Sequence, residues 1–240
     1  MSSSDAGSLY LLPNTLGDTP AEAVIPAAAL HRARSLDYVI AENPKSARAF
    51  LKRIGSERPL QRIRIERLDH NSRPADVPAL LAPLLAGADA GLLSEAGLPA
   101  VADPGAALVR IAHEKGVRVV PLSGPSSLFL ALAASGLEGQ RFVFHGYLPV
   151  KPAELATALK DLERQSRRLS QTQIFIEAPY RNDATLATML KTLGDDTLLC
   201  IAADLTLQTE AIQTRRVAAW RGHPPRLEDR PTVFLVLAAG

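Results

Sequence analysis

The sequence predicts an α/β protein of two domains. Short runs of β-forming residues alternate with helical stretches, the pattern that yields parallel sheet with crossover helices. At 240 residues the chain is long enough for two domains, each burying its own core. A turn-rich stretch, Ser123-Gly124-Pro125-Ser126, interrupts the alternation just after Leu122. These observations set an N-terminal parallel-sheet domain over 1–122 and a C-terminal mixed-sheet domain over 123–240.

In the first half, Leu9 to Leu12 reads as a strand stopped by Pro13, after a loose tail from Met1 to Ser8. Ala21 to Ala33 has helical composition despite Pro26, and Tyr38 to Ala41 is the next strand. Ser46 to Ile54 is helical, and the alternation of Arg62 to Ile65 suits an edge strand. Val77 to Leu85 is a helix ending at Gly87, followed by a short buried strand, Ala90 to Leu93. Gly105 to Lys115 is amphipathic, with Leu108, Ile111 and Ala112 on one face and Gly116 as its stop. Val117 to Pro121 closes the unit.

The second half has more antiparallel character. Its helices are Ser127 to Ala134, Glu154 to Arg167 and Asp183 to Leu193. Its strands are Phe142 to Phe144, Gln173 to Ile176, Leu198 to Ala202 and Thr232 to Leu237.

Composition narrows the class. With 47% apolar and 22% charged residues the chain has ordinary globular composition and is not expected to be disordered. The single cysteine, Cys200, lies in an apolar run, which allows no internal disulfide or thiolate cluster and fits a reducing compartment. No segment reads as a signal peptide, and no window approaches the roughly 20 apolar residues of a membrane span. The expected location is therefore the cytoplasm, with no membrane partner. A net charge of +2 implies no polyanionic partner by itself. Arg48, Lys52, Arg53, Arg58, Arg62, Arg64, Arg67 and Arg73 nevertheless fall in one stretch, either a solvated surface or a nucleic-acid footprint.

In open parallel sheets, ligands bind in the loops beyond the carboxyl ends of strands. Four such loops stand out: Pro13-Asn14-Thr15-Leu16-Gly17-Asp18; Ser94-Glu95-Ala96-Gly97-Leu98-Pro99 running on to Asp103-Pro104-Gly105; Ser123-Gly124-Pro125-Ser126-Ser127; and Glu177-Ala178-Pro179-Tyr180-Arg181. Singly, each has the composition of an ordinary turn. As an ordered set from about Ser8 to Leu237, they resemble the tetrapyrrole-methylase superfamily, and within it the small-subunit ribosomal-RNA ribose (cytidine-2′-O) methyltransferases. The family's Ser-Asp-Ala-Gly-Thr-Pro, Asp-Pro-Gly and Val-Pro-Leu-Pro-Gly-Pro-Ser correspond to Ser94 to Pro99, Asp103 to Gly105 and Val120 to Ser126. Its Gly-Phe-Leu-Pro resembles Gly146-Tyr147-Leu148-Pro149, and its Tyr-Glu-Ser-Pro-His-Arg resembles Ile176 to Arg181.

The resemblance implies a two-domain α/β methyltransferase that holds S-adenosyl-L-methionine in a cleft between its domains, as a homodimer. Carried over by position, the cofactor residues are Pro13, Ser94, Glu95, Ala96, Gly97, Ala100, Ser126 and Ser127 on one side. Glu177, Leu205, Pro231 and Thr232 form the other wall. A methyl sulfonium is already a strong electrophile, so the enzyme chiefly orients donor and acceptor and excludes water. Small residues let the backbone approach the cofactor. His31, His70, His113, His145 and His223 lie far apart without ligand spacing, and no metal is expected.

Some loops depart from the family. Its Pro-Thr-Pro-Ile-Gly-Asn is Pro13-Asn14-Thr15-Leu16-Gly17-Asp18 here; Glu-Asp-Thr-Arg is Glu42-Asn43-Pro44-Lys45; Lys-Gly-Glu is Asp229-Arg230-Pro231. Glu42, at a strand end, either acts as a base or orients a substrate hydroxyl, or is an N-cap or turn carboxylate. Asp69-His70-Asn71 resembles the family's Asp-His-Asn, with His70 the candidate base for a ribose hydroxyl. Glu177 either lines the cofactor or pairs with Arg181. Asp103 either caps the following helix or touches the cofactor, and Trp220 either packs or stacks on a base. The acceptor is ribosomal RNA in one reading and a small molecule or tetrapyrrole in another; a third keeps the cofactor cleft without catalysis.

Overall fold

The computed structural model describes residues 6–238. The chain divides into two units, Met1–Ser126 and Ser127–Gly240. The division falls four residues beyond Leu122 because the intervening loop stays packed on the first sheet: a Cβ on Gly124 would stand 2.1 Å from the Cβ of Pro13.

The first unit is built on five parallel strands in the order β3-β2-β4-β1-β5. These are β1 (Ser8–Leu12), β2 (Tyr38–Ala41), β3 (Arg64–Arg67), β4 (Ala90–Leu93) and β5 (Arg118–Pro121). β2 and β4 are buried at every residue, as expected where helices cover both faces, while the edge strands β3 and β5 are exposed at their ends. One face carries α1 (Ala21–Val24), α2 (Ala27–Ser35) and α3 (Pro44–Arg53), whose Ala21, Leu30, Phe50 and Leu51 pack on Leu12, Val39 and Leu93. The other carries a 3-10 turn (Val77–Leu81), α4 (Ala82–Leu85) and α5 (Gly105–Glu114), packed on Leu9, Ile40 and Leu92.

Several boundaries in the first unit differ from the sequence reading; the helix expected over Val77 to Leu85, for one, is a 3-10 turn that gives way to α4 at Ala82. The helix expected over Ala21 to Ala33 is broken, because Pro26 has no N–H to continue α1 and instead opens α2. α3 starts two residues early, at Pro44, since the Asn43 side chain accepts the N–H groups of Lys45 and Ser46. β3 covers Arg64–Arg67, the register that sets Arg64 beside Tyr38 and Arg67 beside Ala41. At the amino end, Met1–Asp5 lies outside the described residues and Ser8 already belongs to β1.

The second unit contains a mixed sheet in the order β6-β7-β10-β8-β9. Its strands are β6 (Phe142–Tyr147), β7 (Thr172–Ile176), β8 (Leu198–Ala203), β9 (Ala211–Arg216) and β10 (Thr232–Leu237). β6 and β7 are parallel; β10 runs antiparallel to β7 and β8, and β9 antiparallel to β8. Helices α6 (Ser127–Ser135), α7 (Pro152–Leu169), α8 (Asn182–Thr192) and α9 (Val217–Gly222) complete it. Leu159, Met189 and Trp220 close over the stacked rings of Phe175 and Phe234, 5.5 Å apart. β9 and α9 were not anticipated; the exposed alternation of β9 marks it as an edge strand. No described helix is long and apolar enough to cross a membrane.

Candidate active site

The strand order makes one place in the first unit special. From β1 the chain moves to β2 on one side, and from β4 it crosses β1 to β5 on the other, so the direction reverses between β1 and β4. At such a switch point the flanking loops part and leave a crevice at the carboxyl ends. Here the two loops are laced together. The Asn14 side chain donates to the carbonyls of Ser94 and Glu95, both at 3.0 Å, and its N–H donates to the Gly97 carbonyl at 2.9 Å. Gly97 takes a φ of +66°, and a Cβ there would crowd Leu16 at 3.2 Å.

Downstream, Ala100 and Ala102 are held at φ 66° and 60°. The left-handed region costs a non-glycine residue about 1–2 kcal/mol, so the surroundings must over-determine it. Asp103 does so, accepting the Ala100 N–H at 2.8 Å with one oxygen and the Gly105 N–H at 2.7 Å with the other. The second bond satisfies the first N–H of α5 from one residue before its N-cap, which is Pro104 and not Asp103. Burial nevertheless outweighs these N–H groups and leaves its carboxyl above the ordinary range.

Glu42 follows β2 on the same edge. Burial raises its pKa, the carboxylates of Asp103 and Glu95 raise it further, and the Glu95 N–H and His70 offset part of the shift. At the end of β3, Asp69 is committed to its own turn: it accepts the Asn71 N–H at 2.9 Å and the Ser72 hydroxyl at 3.2 Å, and pairs with Arg67 at 2.6 Å. Burial pushes its pKa up, but these partners and His70 outweigh it and hold it below the carboxylate range. His70 and Asn71 are exposed at the tip of that turn.

In the second unit, the carboxyl ends of β7 and β8 and the start of β10 share an edge. This collects Glu177, Leu205, Pro231 and Thr232. The Glu177–Arg181 pair allowed by the sequence forms at 3.0 Å, and Glu177 also accepts the Ala178 N–H at 2.8 Å. Asp204, at φ 53°, pairs with Arg230 at 2.8 Å and donates its N–H to the Pro231 carbonyl. That lock was missed from sequence; its only sign was an Asp closing a buried strand.

Of the anticipated residues, Pro13, Glu42, Asp69, His70, Asn71, Ser94, Glu95, Ala96, Gly97, Ala100 and Ser126 all follow strands of the first sheet. Ser127 opens α6 in the second unit. Asn14 and Arg53 were not singled out as site residues. Trp220 packs: it is 3% exposed, and its Nε1 donates to the Leu199 carbonyl at 2.9 Å. Among the described residues no group of three or more His, Cys, Asp or Glu could hold a metal ion.

An open parallel sheet with a laced switch point, strained loops and gathered carboxylates defines an α/β enzyme of the small-ligand-binding class. Residues 21–219 match the profile of the Tetrapyrrole (Corrin/Porphyrin) Methylases. The chain belongs to this family and is an S-adenosylmethionine-dependent methyltransferase. It is 36% identical to the ribosomal RNA small subunit methyltransferase I of Mesorhizobium japonicum, across 97% of this chain and 74% of that protein. The Xylella fastidiosa protein of the same name is 32% identical over 99% of this chain and 83% of its own length. The crystal structure of the methyltransferase CobJ superposes with a TM-score of 0.64 at 19% identity, covering 98% of this chain and 95% of that one, a likeness of fold.

Proposed function

We propose that this enzyme methylates a ribose 2′-hydroxyl of small-subunit ribosomal RNA. The observation that carries this reading is the similarity to small-subunit rRNA methyltransferases over nearly the whole chain, which includes both strand edges described above. The cytoplasm is the location this substrate requires, and the two units serve as the enzyme's two domains. A homodimer is the proposed assembly, supported by Phe129 and Leu130, which leave 57% and 39% of their surface exposed on α6.

The first sheet's edge suits the methyl donor. S-adenosylmethionine carries a sulfonium and an α-ammonium, and Glu42 interacts there with the carboxylates of both Asp103 and Glu95, so their field favours a cation. Ser94, Ala96, Gly97 and Ala100 offer backbone without bulky side chains, and Pro13 backs the crevice beside Gly124. Ser126, Ser127, Glu177, Leu205, Pro231 and Thr232 are the further proposed contacts. When bound, the cofactor supplies an electrophilic methyl group.

The protein's share is to position the acceptor and take its proton. His70 receives the proton from the ribose hydroxyl, and the Glu42 carboxyl lies within electrostatic reach of it. Asp69 and Asn71 set the turn that presents the imidazole. The test is methyl transfer to small-subunit rRNA from a strain lacking the gene, with the modified nucleotide mapped by mass spectrometry, alongside calorimetry of cofactor binding in chelator. His70→Ala should lower kcat with little change in RNA affinity. No methyl incorporation by a parent enzyme that binds the cofactor would refute the rRNA assignment.

A further inference from the structure

The basic stretch does not act as one surface. Arg64 pairs with Glu66 at 2.8 Å and lies over the Tyr38 ring, Arg67 pairs with Asp69, and Arg73 pairs with Asp76 at 2.8 Å. These side chains are already engaged within the fold. On α3 the case differs. Lys45, Arg48 and Lys52 are exposed, recur at helical i, i+3 and i+7 spacing, and enter no ion pair among the described residues. They form a ridge of unopposed positive charge along one side of the helix.

Beside this ridge lies a cavity of about 350 Å³, lined among others by Asn14, Thr15, Gly17, Ser46, Phe50 and Arg53. Arg53 is anchored: one Nη donates to the Thr15 hydroxyl at 2.8 Å and to the Asn14 side-chain oxygen at 3.4 Å, and the guanidinium lies 5.7 Å from the Phe50 ring. Its other N–H groups remain available in a fixed fork, the arrangement that suits a phosphate. Glu95 also lines the cavity, and Asn14 is the residue that laces the switch point, so the cavity adjoins the cofactor loops.

We infer that the α3 ridge of Lys45, Arg48 and Lys52 carries the phosphate backbone of a single-stranded RNA segment, and that the Arg53 cavity admits one of its nucleotides. This rests on the rRNA reading above. RNA is favoured over a lipid surface because none of the large exposed hydrophobic residues lies on α3, and interfacial helices need an apolar face to insert. An unpaired strand is favoured over a duplex because only a splayed nucleotide enters a pocket of this kind.

The test compares three variants with the parent, using a small-subunit rRNA transcript, anionic phospholipid vesicles and S-adenosylmethionine as probes. Lys45→Glu/Arg48→Glu/Lys52→Glu should weaken transcript binding roughly tenfold or more at 0.1 M salt. It should also flatten the log–log salt slope by about 2, at roughly 0.7 per lost phosphate contact. Its cofactor binding by calorimetry should equal the parent's. Ala49→Trp, which fills the cavity from α3, should keep the salt slope but lose most methyl transfer. Arg64→Ala/Arg73→Ala should bind the transcript like the parent. The inference is overturned if the triple variant keeps the parent's affinity and slope, if the Arg64/Arg73 variant is the weaker one, or if vesicles compete as well as RNA. A parent that binds the transcript through this ridge yet transfers no methyl to it would remove the substrate reading alone and leave the ridge standing.

Discussion

The Asn14 side chain, at the end of β1, bridges to β4 by donating both amide protons: one to the Ser94 carbonyl and one to the Glu95 carbonyl, each at 3.0 Å. The family pattern has Thr in this place, and a hydroxyl has a single proton to give. What reads as a departure in the sequence is therefore a second tie across the switch point. Asn14→Ala should cost about 1–3 kcal/mol in urea unfolding, because the buried Ser94 carbonyl and the part-buried Glu95 carbonyl lose their donor, and should weaken cofactor binding. Asn14→Thr should cost less, since one bond survives.

Gly124→Ala tests whether the loop after β5 is locked to the loop after β1. The added methyl would meet Pro13 at 2.1 Å, a distance that forces one loop to move. A loss of about 1–3 kcal/mol is expected by chemical denaturation. Weaker cofactor binding should accompany it; unchanged stability would mean that the loops are not in contact in solution.

Glu42→Gln should shift the pH dependence of stability in a defined direction. A carboxyl whose folded pKa is raised is destabilising when ionised, so its cost is largest at neutral pH and disappears as pH falls through the folded value to the ordinary carboxylate value. The variant should melt higher than the parent near pH 7, and the gap should close on acidification. A gap that widens toward acid would contradict the assigned environment. Turnover should fall in the same variant if Glu42 supports His70.

Trp220→Phe separates packing from base stacking. The Phe variant keeps most of the buried ring but leaves the Leu199 carbonyl without its donor, a loss of about 1–2 kcal/mol. RNA affinity should not change. Weakened RNA binding in a fully folded Trp220→Phe protein would restore the stacking role.

Much of this protein was written locally. Continuous apolar runs such as Leu198 to Ala202 and the helical pattern of Gly105 to Lys115 depend only on neighbouring residues, and both elements form where that pattern lies. The motif loops were legible because a tight turn after a strand needs particular residues, as Gly97 at φ +66° shows. The break at Pro26 inside the helical composition of Ala21 to Ala33 is local too, because a missing N–H has a fixed consequence.

What tertiary structure alone decided is which distant groups meet. Strand order β3-β2-β4-β1-β5 is not encoded in any window of sequence, yet it creates the switch point and brings Asn14 to Ser94 across 80 positions. Along the sequence, the charges of the basic stretch stand near a few carboxylates without any sign of which pairs form. In the fold, Coulomb attraction falls with distance, so Arg64, Arg67 and Arg73 are spent on carboxylates within 2.8 Å while Lys45, Arg48 and Lys52 face solvent unopposed. Residue types set the elements and the chemistry on offer; only the packing of those elements determined which charges were neutralised and which remained for a partner.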